Sequence, residues 1–329
     1  MSELAKNGRS ALRVVAFAAA LIRALSASAD KTVLESSTGD YAPGGPEVCL
    51  ECHDETSEKP ILPIFATAHG VKADPRAPLG SQHACQSCHG PSAAHVKEPA
   101  KGAGRAPVAV VFGENHPIEP QNAACLACHQ GGQRMNWAGS AHESANLRCT
   151  SCHTIHTKES PTLATDIRPN VLLKQNQSET CFKCHQEQRA LSFRFSTHPL
   201  QAGKVECSDC HNPHGSMAPH LLAQPTLNET CYQCHADKRG PFLWEHPPAR
   251  ENCAICHAPH GSNNPTLLVN RLPMLCQQCH MSAFHPSTAY TGPAPNVGRA
   301  DIHEVGKSCL NCHAEVHGSN HPSGVRFTR

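Results

Sequence analysis

Large aromatic side chains are scarce: the 329-residue chain has 9 Phe, 2 Trp and 3 Tyr against 22 Gly and 27 Pro. That balance describes a chain with too little apolar area for a conventional packed core, so something other than side chains must fill the interior. Beyond residue 29 no apolar run approaches the roughly 20 residues of a membrane-spanning helix. Charge of one sign is also lacking. With 28 Lys and Arg against 27 Asp and Glu, the chain has no basic footprint for nucleic acid, and no nucleic-acid partner is expected. Nor is any cysteine left unpaired in the pattern that follows.

All 20 Cys fall into one motif, C-x-x-C-H: Cys49/Cys52, Cys85/Cys88, Cys125/Cys128, Cys149/Cys152, Cys181/Cys184, Cys207/Cys210, Cys231/Cys234, Cys253/Cys256, Cys276/Cys279 and Cys309/Cys312. A histidine follows every pair: His53, His89, His129, His153, His185, His211, His235, His257, His280 and His313. In an exported chain this is the attachment signature of haem c. The two thiols become thioethers on the vinyl groups, and the adjacent imidazole reaches the iron as proximal ligand. Ten covalently bound haems c are expected. Zinc ribbons also use paired C-x-x-C, but zinc does not require a His after every pair. Disulfides within the pairs belong to a haem-free precursor in an oxidising compartment.

Residues 1–29 read as a cleaved export signal, with Lys6, Arg9 and Arg13, an apolar stretch from Val14 to Ile22, and Ala27-Ser28-Ala29 before Asp30. The apolar stretch is too short to span a membrane. Residues 30–329 are then the mature cytochrome domain, expected outside the cytoplasm. Its 24 basic and 26 acidic side chains would be joined by haem propionates, with Lys and Arg as partners.

Five two-haem repeats emerge when the motifs are aligned. Residues 179–216 and 229–262 each contain a motif, a loop with His-Pro, a second motif and Pro-His-Gly-Ser. The same order runs from Cys125 to His156, Cys49 to His95 and Cys276 to His317. A histidine three residues after a motif, such as His214, cannot serve the same iron, because three residues span at most about 11 Å. It therefore belongs to a neighbouring haem. Each repeat offers one loop and one tail histidine as distal ligands: His69 and His95, His142 and His156, His198 and His214, His246 and His260, His303 and His317. Outside this pattern stand His83, His116, His220, His285 and His321, of which His83 could replace His69 or His95 and His285 could replace His303.

The expected fold is a multihaem cytochrome c, mostly loop with short α-helices wrapped around a ten-haem chain and little β structure. Longer helices are expected over Cys181 to Leu191 and Cys231 to Lys238, the second with Asn228 as N-cap. Val108 to Phe112 reads as a short strand. Gly215 and Gly261 are expected to take a left-handed backbone or approach a porphyrin closely.

The ten motifs, with Thr67-Ala68-His69-Gly70, Leu243-Trp244-Glu245-His246, Cys276-Gln277-Gln278-Cys279-His280 and His317 to Gly324, resemble the MtrA/DmsE family of periplasmic decahaem cytochromes, which includes MtoA and PioA relatives. The resemblance covers essentially the whole mature chain. It implies two pentahaem halves, about 30–205 and 206–329, inserted in an outer-membrane β-barrel porin. It also implies electron exchange between a periplasmic or inner-membrane cytochrome c and an outer-surface multihaem cytochrome or reductase, in extracellular metal reduction or Fe(II) oxidation. The residues independently suggest an electron carrier without a catalytic residue, since a bis-histidine iron has no open position for substrate. A soluble periplasmic shuttle, and a nitrite- or hydroxylamine-type reductase with one open iron, are the competing readings.

Overall fold

The computed structural model describes residues 39–54, 56–57, 61–156, 173–280, 308–322 and 324–328. The expected export signal at 1–29, the predicted ligand His303 and its alternative His285 lie outside these residues.

One turn of helix recurs at every motif. In all ten, the histidine N–H donates to the carbonyl of the first cysteine, at 2.9–3.1 Å. This i to i−4 bond stacks positions i, i+3 and i+4 on one face. Both sulfurs and the imidazole therefore project from the same side of a short turn, as attachment to one porphyrin demands. The turns take several forms: Cys207–Cys210 and Cys149–Cys152 are α-helical, whereas Cys253–Ile255 and Cys309–Asn311 are 3₁₀. Among the described residues the longest helix is Ile118–Leu126, which delivers Cys125. Strand structure among the described residues is confined to Trp244–Glu245 paired antiparallel with Gly318–Ser319, Trp244 opposite Ser319, and a few isolated bridges. Apart from these turns the chain is mostly loop.

Three local expectations change. The helix expected over Cys181 to Leu191 is two helices, Gln177–Phe182 and Gln186–Leu191, broken at His185. The Gln186 amide donates to the carbonyls of Phe182 and Lys183, at 2.6 and 3.1 Å, capping groups that the break leaves open. In the next repeat Asn228 is not the N-cap. Thr226 caps helix Leu227–Tyr232 by accepting from the Glu229 N–H, a Thr-x-x-Glu start, and Ala236–Lys238 is a separate 3₁₀ turn. Val108 to Phe112 forms no strand, because Val110 pairs with a motif histidine instead: its N–H donates to the His89 carbonyl at 2.8 Å.

The chain divides into two compact units, Met1–Gln130 with Asn146–Ser160, and Gly131–Ala145 with Pro161–Arg329. The first holds the motifs beginning at Cys49, Cys85, Cys125 and Cys149, and the second holds the other six. A boundary between residues 205 and 206 falls inside the second unit. Buried apolar side chains among the described residues are few and small, with Trp137, Phe182, Leu79, Leu173 and Leu222 the largest.

Candidate haem sites

Seven of the ten motif histidines meet another imidazole across a gap of 5.8–6.3 Å. In the first unit His53 faces His95 with ring centroids 6.1 Å apart, His89 faces His156 at 6.3 Å and His129 faces His69 at 5.8 Å. In the second unit His185 faces His142 at 6.2 Å, His211 faces His260 at 5.9 Å, His257 faces His317 at 6.2 Å and His280 faces His246 at 6.2 Å. Two imidazoles on opposite sides of one metal, each bonded at about 2.0 Å with its ring centre about 1.1 Å further out, have centroids about 6.2 Å apart. All seven spacings match that figure within a few tenths of an ångström. Among the described residues, no three or more His, Cys, Asp or Glu side chains form a metal-holding group. Two axial nitrogens suffice for a porphyrin, whose macrocycle supplies the other four.

The partners follow a rule that crosses repeat boundaries. A loop histidine faces the first motif of the following repeat, as His69 does with His129, His142 with His185 and His246 with His280. A tail histidine faces the second motif of the preceding repeat, as His156 does with His89, His260 with His211 and His317 with His257. His95 departs from this rule and faces the first motif of its own repeat. Of the remaining predicted ligands, His198 has Nδ1 at 2.8 Å from the Pro259 carbonyl, His214 lies beside Trp137 at 6.5 Å, and neither belongs to these seven couples. His83 stacks on Tyr41 at 3.9 Å and does not take the place of His69 or His95 in these couples.

Backbone carbonyls orient many of the rings. Nδ1 lies 2.8 Å from the His220 carbonyl in His211, 2.8 Å from Thr266 in His257 and 3.2 Å from Val110 in His89. It lies 2.6 Å from Ala106 in His95, 2.6 Å from Pro213 in His142 and 2.9 Å from Val316 in His246. A hydrogen on Nδ1 donated to a carbonyl leaves Nε2 as the bare, ligating nitrogen and raises its basicity. Burial lowers the pKa of His69, His89, His156, His246, His260 and His317, with like-charged neighbours adding to the shift in most. The neutral form, the one that binds iron, is favoured.

The cysteines pair across motifs. The first Cys of one motif adjoins the first Cys of its repeat partner: Cys49 and Cys85, Cys125 and Cys149, Cys181 and Cys207, Cys231 and Cys253, Cys276 and Cys309. The neighbouring thiol brings those of Cys49, Cys207 and Cys253 down to about 7 and pushes Cys85 and Cys231 up. Between repeats the second motif adjoins the next one, Cys88 interacting with Cys128, Cys210 with Cys234 and Cys256 with Cys279. Within each unit the motifs are thus strung in chain order.

Protein does not enclose the twenty sulfurs evenly. All ten first cysteines are half-buried, as are Cys88, Cys152, Cys210 and Cys256, but Cys52, Cys128, Cys184, Cys234, Cys279 and Cys312 are exposed. Exposure does not disqualify a thiol as an attachment point, since addition to a vinyl group requires an accessible sulfur.

Among the described residues, the buried donors Arg148 Nε and Trp244 Nε1 find no protein acceptor. Haem propionates are acceptors only, so a donor beside a motif, as Arg148 is beside Cys149, suits them. Sequence reasoning did not single out either residue for this; the one available signal was Arg148's position immediately before a motif.

Over 308 residues, 92% of this chain and 86% of the relative, the sequence is 45% identical to the multiheme cytochrome MtrA of Shewanella baltica (strain OS185). The chain belongs to the MtrA family of multihaem c-type cytochromes. Residues 198–240 and 246–285 match the doubled CXXCH motif family, and residues 85–173 match the cytochrome c-type protein NrfB-like family. The cytochrome c-type protein NrfB of Haemophilus influenzae is 30% identical over 57% of this chain and 87% of its own. The C-type polyheme cytochrome OmcB of Geobacter sulfurreducens is 26% identical over 64% of this chain, but over only 31% of its own. Like its MtrA-family relatives, the chain binds haem c through its C-x-x-C-H motifs and transfers electrons. Among the described residues no helix is long and apolar enough to cross a membrane.

Proposed function

We propose that the mature chain carries ten haems c, each with two histidine ligands, and conducts electrons across the outer membrane from within a β-barrel porin. The trans-axial spacing of the seven imidazole couples carries this reading. A haem iron held between such a couple would take histidine nitrogen from both rings and would keep no position for a substrate. The loop-to-next-repeat rule assigns His198 to the His235 centre, leaving His214 and His303 to complete the set. The bound haems supply one-electron exchange. The chain's own residues hold ring orientation through the Nδ1 carbonyls, set spacing through the paired turns, and engage propionates through Arg148 and Trp244. An array of six-coordinate centres conducts both ways, so the potentials of the periplasmic cytochrome and the outer-surface cytochrome or reductase decide between metal reduction and Fe(II) oxidation.

Two measurements test this. A haem count of ten, with an oxidised electron paramagnetic resonance spectrum that is entirely low-spin, is expected. A stoichiometric high-spin signal would overturn the bis-histidine assignment and favour a reductase. On fractionation of the native host, the chain should sediment with the outer membrane and resist a salt wash. Recovery in the soluble periplasmic extract would make it a shuttle.

A further inference from the structure

A side-chain amide joins the two motif turns in the second, third and fourth repeats, and a related amide bridge occurs in the first. In the second, Asn122 lies three residues before Cys125. Its Nδ2 donates to the Leu147 carbonyl at 3.0 Å, and its Oδ1 accepts from the Cys149 N–H at 2.9 Å. In the fourth, Asn228 lies three residues before Cys231. Its Nδ2 donates to the carbonyls of Ala249 and Arg250 at 3.2 and 2.9 Å, and its Oδ1 accepts from the Cys253 N–H at 2.8 Å. The third repeat uses a longer side chain from one residue further back: Gln177 accepts from the Ser208 N–H at 2.8 Å and donates to the Ser208 hydroxyl at 3.0 Å. In the first the bridge runs the other way, from Gln86 inside the second motif to Ala42 ahead of the first, at 2.8 and 3.1 Å. Asn122, Asn228 and Gln86 are all buried.

We propose that these amides are positioning residues that set the spacing and tilt of the two haems within a repeat, and with them the electronic coupling between those haems. The inference rests on the haem occupancy proposed above. Each turn carries both thioether attachments and the proximal imidazole, so a porphyrin has little freedom independent of its turn. Fixing one turn against the other therefore fixes one porphyrin against the other. The leading cysteines also adjoin, but as thiols able to donate S–H. Attachment adds the S–H across a vinyl group, forming C–S and C–H bonds, and removes the donor. The amide bridge survives attachment, and a planar group bonded from both its oxygen and its nitrogen resists twisting as well as separation.

The test uses holoprotein carrying Asn228→Ala, Asn228→Asp or Asn122→Ala. Asp keeps the shape and the acceptor for the Cys253 N–H but loses the donor to Ala249 and Arg250. Pyridine haemochrome absorbance gives the haem count, and Soret circular dichroism gives the exciton couplet between neighbouring haems. Full haem loading with reduced couplet amplitude is expected in each variant, and a larger loss in the Asn122→Ala/Asn228→Ala double variant. A role in stability alone would lower the thermal midpoint and leave the couplet intact. Should Asn228→Ala load fewer haems, the isosteric Asn228→Asp decides. An unchanged couplet at full loading in Asn228→Asp and Asn122→Ala overturns the proposal. A wild-type count below ten would strike the occupancy reading instead.

Discussion

Replacing Gly261 by Ala tests how the tail histidines are held. Gly261 follows His260 and has φ of +143°. A β-carbon there would lie far inside van der Waals contact with the Leu191 carbonyl, a backbone group that no rotamer change can move. The left-handed backbone costs an L-residue about 1–2 kcal/mol, and forced overlap adds about 1–3 kcal/mol. The sum, about 2–5 kcal/mol, is a large share of the 5–15 kcal/mol that holds a typical domain together. Relief requires residues 260–262 to withdraw, which breaks the paired bonds between Ser196 and Ser262 at 2.8 and 2.9 Å and pulls His260 from its position 5.9 Å from His211. Gly203 is the control: its φ is +64°, but its β-carbon would meet nothing within 4 Å, so Gly203→Ala should cost only the backbone part. Denaturant unfolding of holoprotein should therefore show the larger loss in Gly261→Ala, and only that variant should gain a high-spin resonance. Equal losses, or an unaltered low-spin spectrum in Gly261→Ala, would refute the reasoning.

Other outcomes follow from the same geometry. His260→Ala should leave the haem count unchanged and convert one centre to high spin, whereas His260→Met should stay low-spin with a raised potential at that centre; potentiometric titration separates the two. The rings of His129 and His69, 70° apart, and of His185 and His142, 64° apart, should give low-spin resonances distinct from that of His257 and His317, 13° apart, readable in a low-temperature spectrum of the oxidised protein. Chain expressed without haem attachment should show little of the holoprotein's far-ultraviolet dichroism, since the turns form around the cofactor. Arg76→Ala, which removes an exposed ion pair to Asp74 at 2.9 Å, should leave the unfolding midpoint unchanged.

Much of this protein is written in local spacing. A motif of two thiols and an imidazole within five residues needs one helical turn to face one porphyrin, so every attachment turn could be read directly. The repeat also marks candidate loop and tail histidines by their matching positions, and seven of the ten stand opposite a motif imidazole. Which sulfurs the protein covers was not legible, since Cys49 and Cys52 belong to one motif yet only Cys49 packs against Cys85. Local reading also failed where a distant partner outcompeted the nearby one. Asn228 has the chemistry of an N-cap, yet its amide is taken by Cys253, Ala249 and Arg250, so capping passes to Thr226. Val108 to Phe112 has strand-forming residues, but the backbone of Val110 serves His89.

By itself the sequence determined the cofactor chemistry, the number of attachment motifs and the pool of candidate ligands, because these depend on residue type and on separations of a few bonds. Only the tertiary structure decided which histidine faces which motif. Loop and tail histidines cross to neighbouring repeats, where contacts such as Trp244 with Ser319 and Ser196 with Ser262 bring them opposite their partners. Residues 75 and 66 positions apart are joined there, and loop closure over such lengths costs nearly the same for any competing partner. Spacing along the chain therefore cannot choose between them; the contacts formed in the folded chain do, including the close backbone approach of Gly215 to Asn136 and of Gly261 to Leu191.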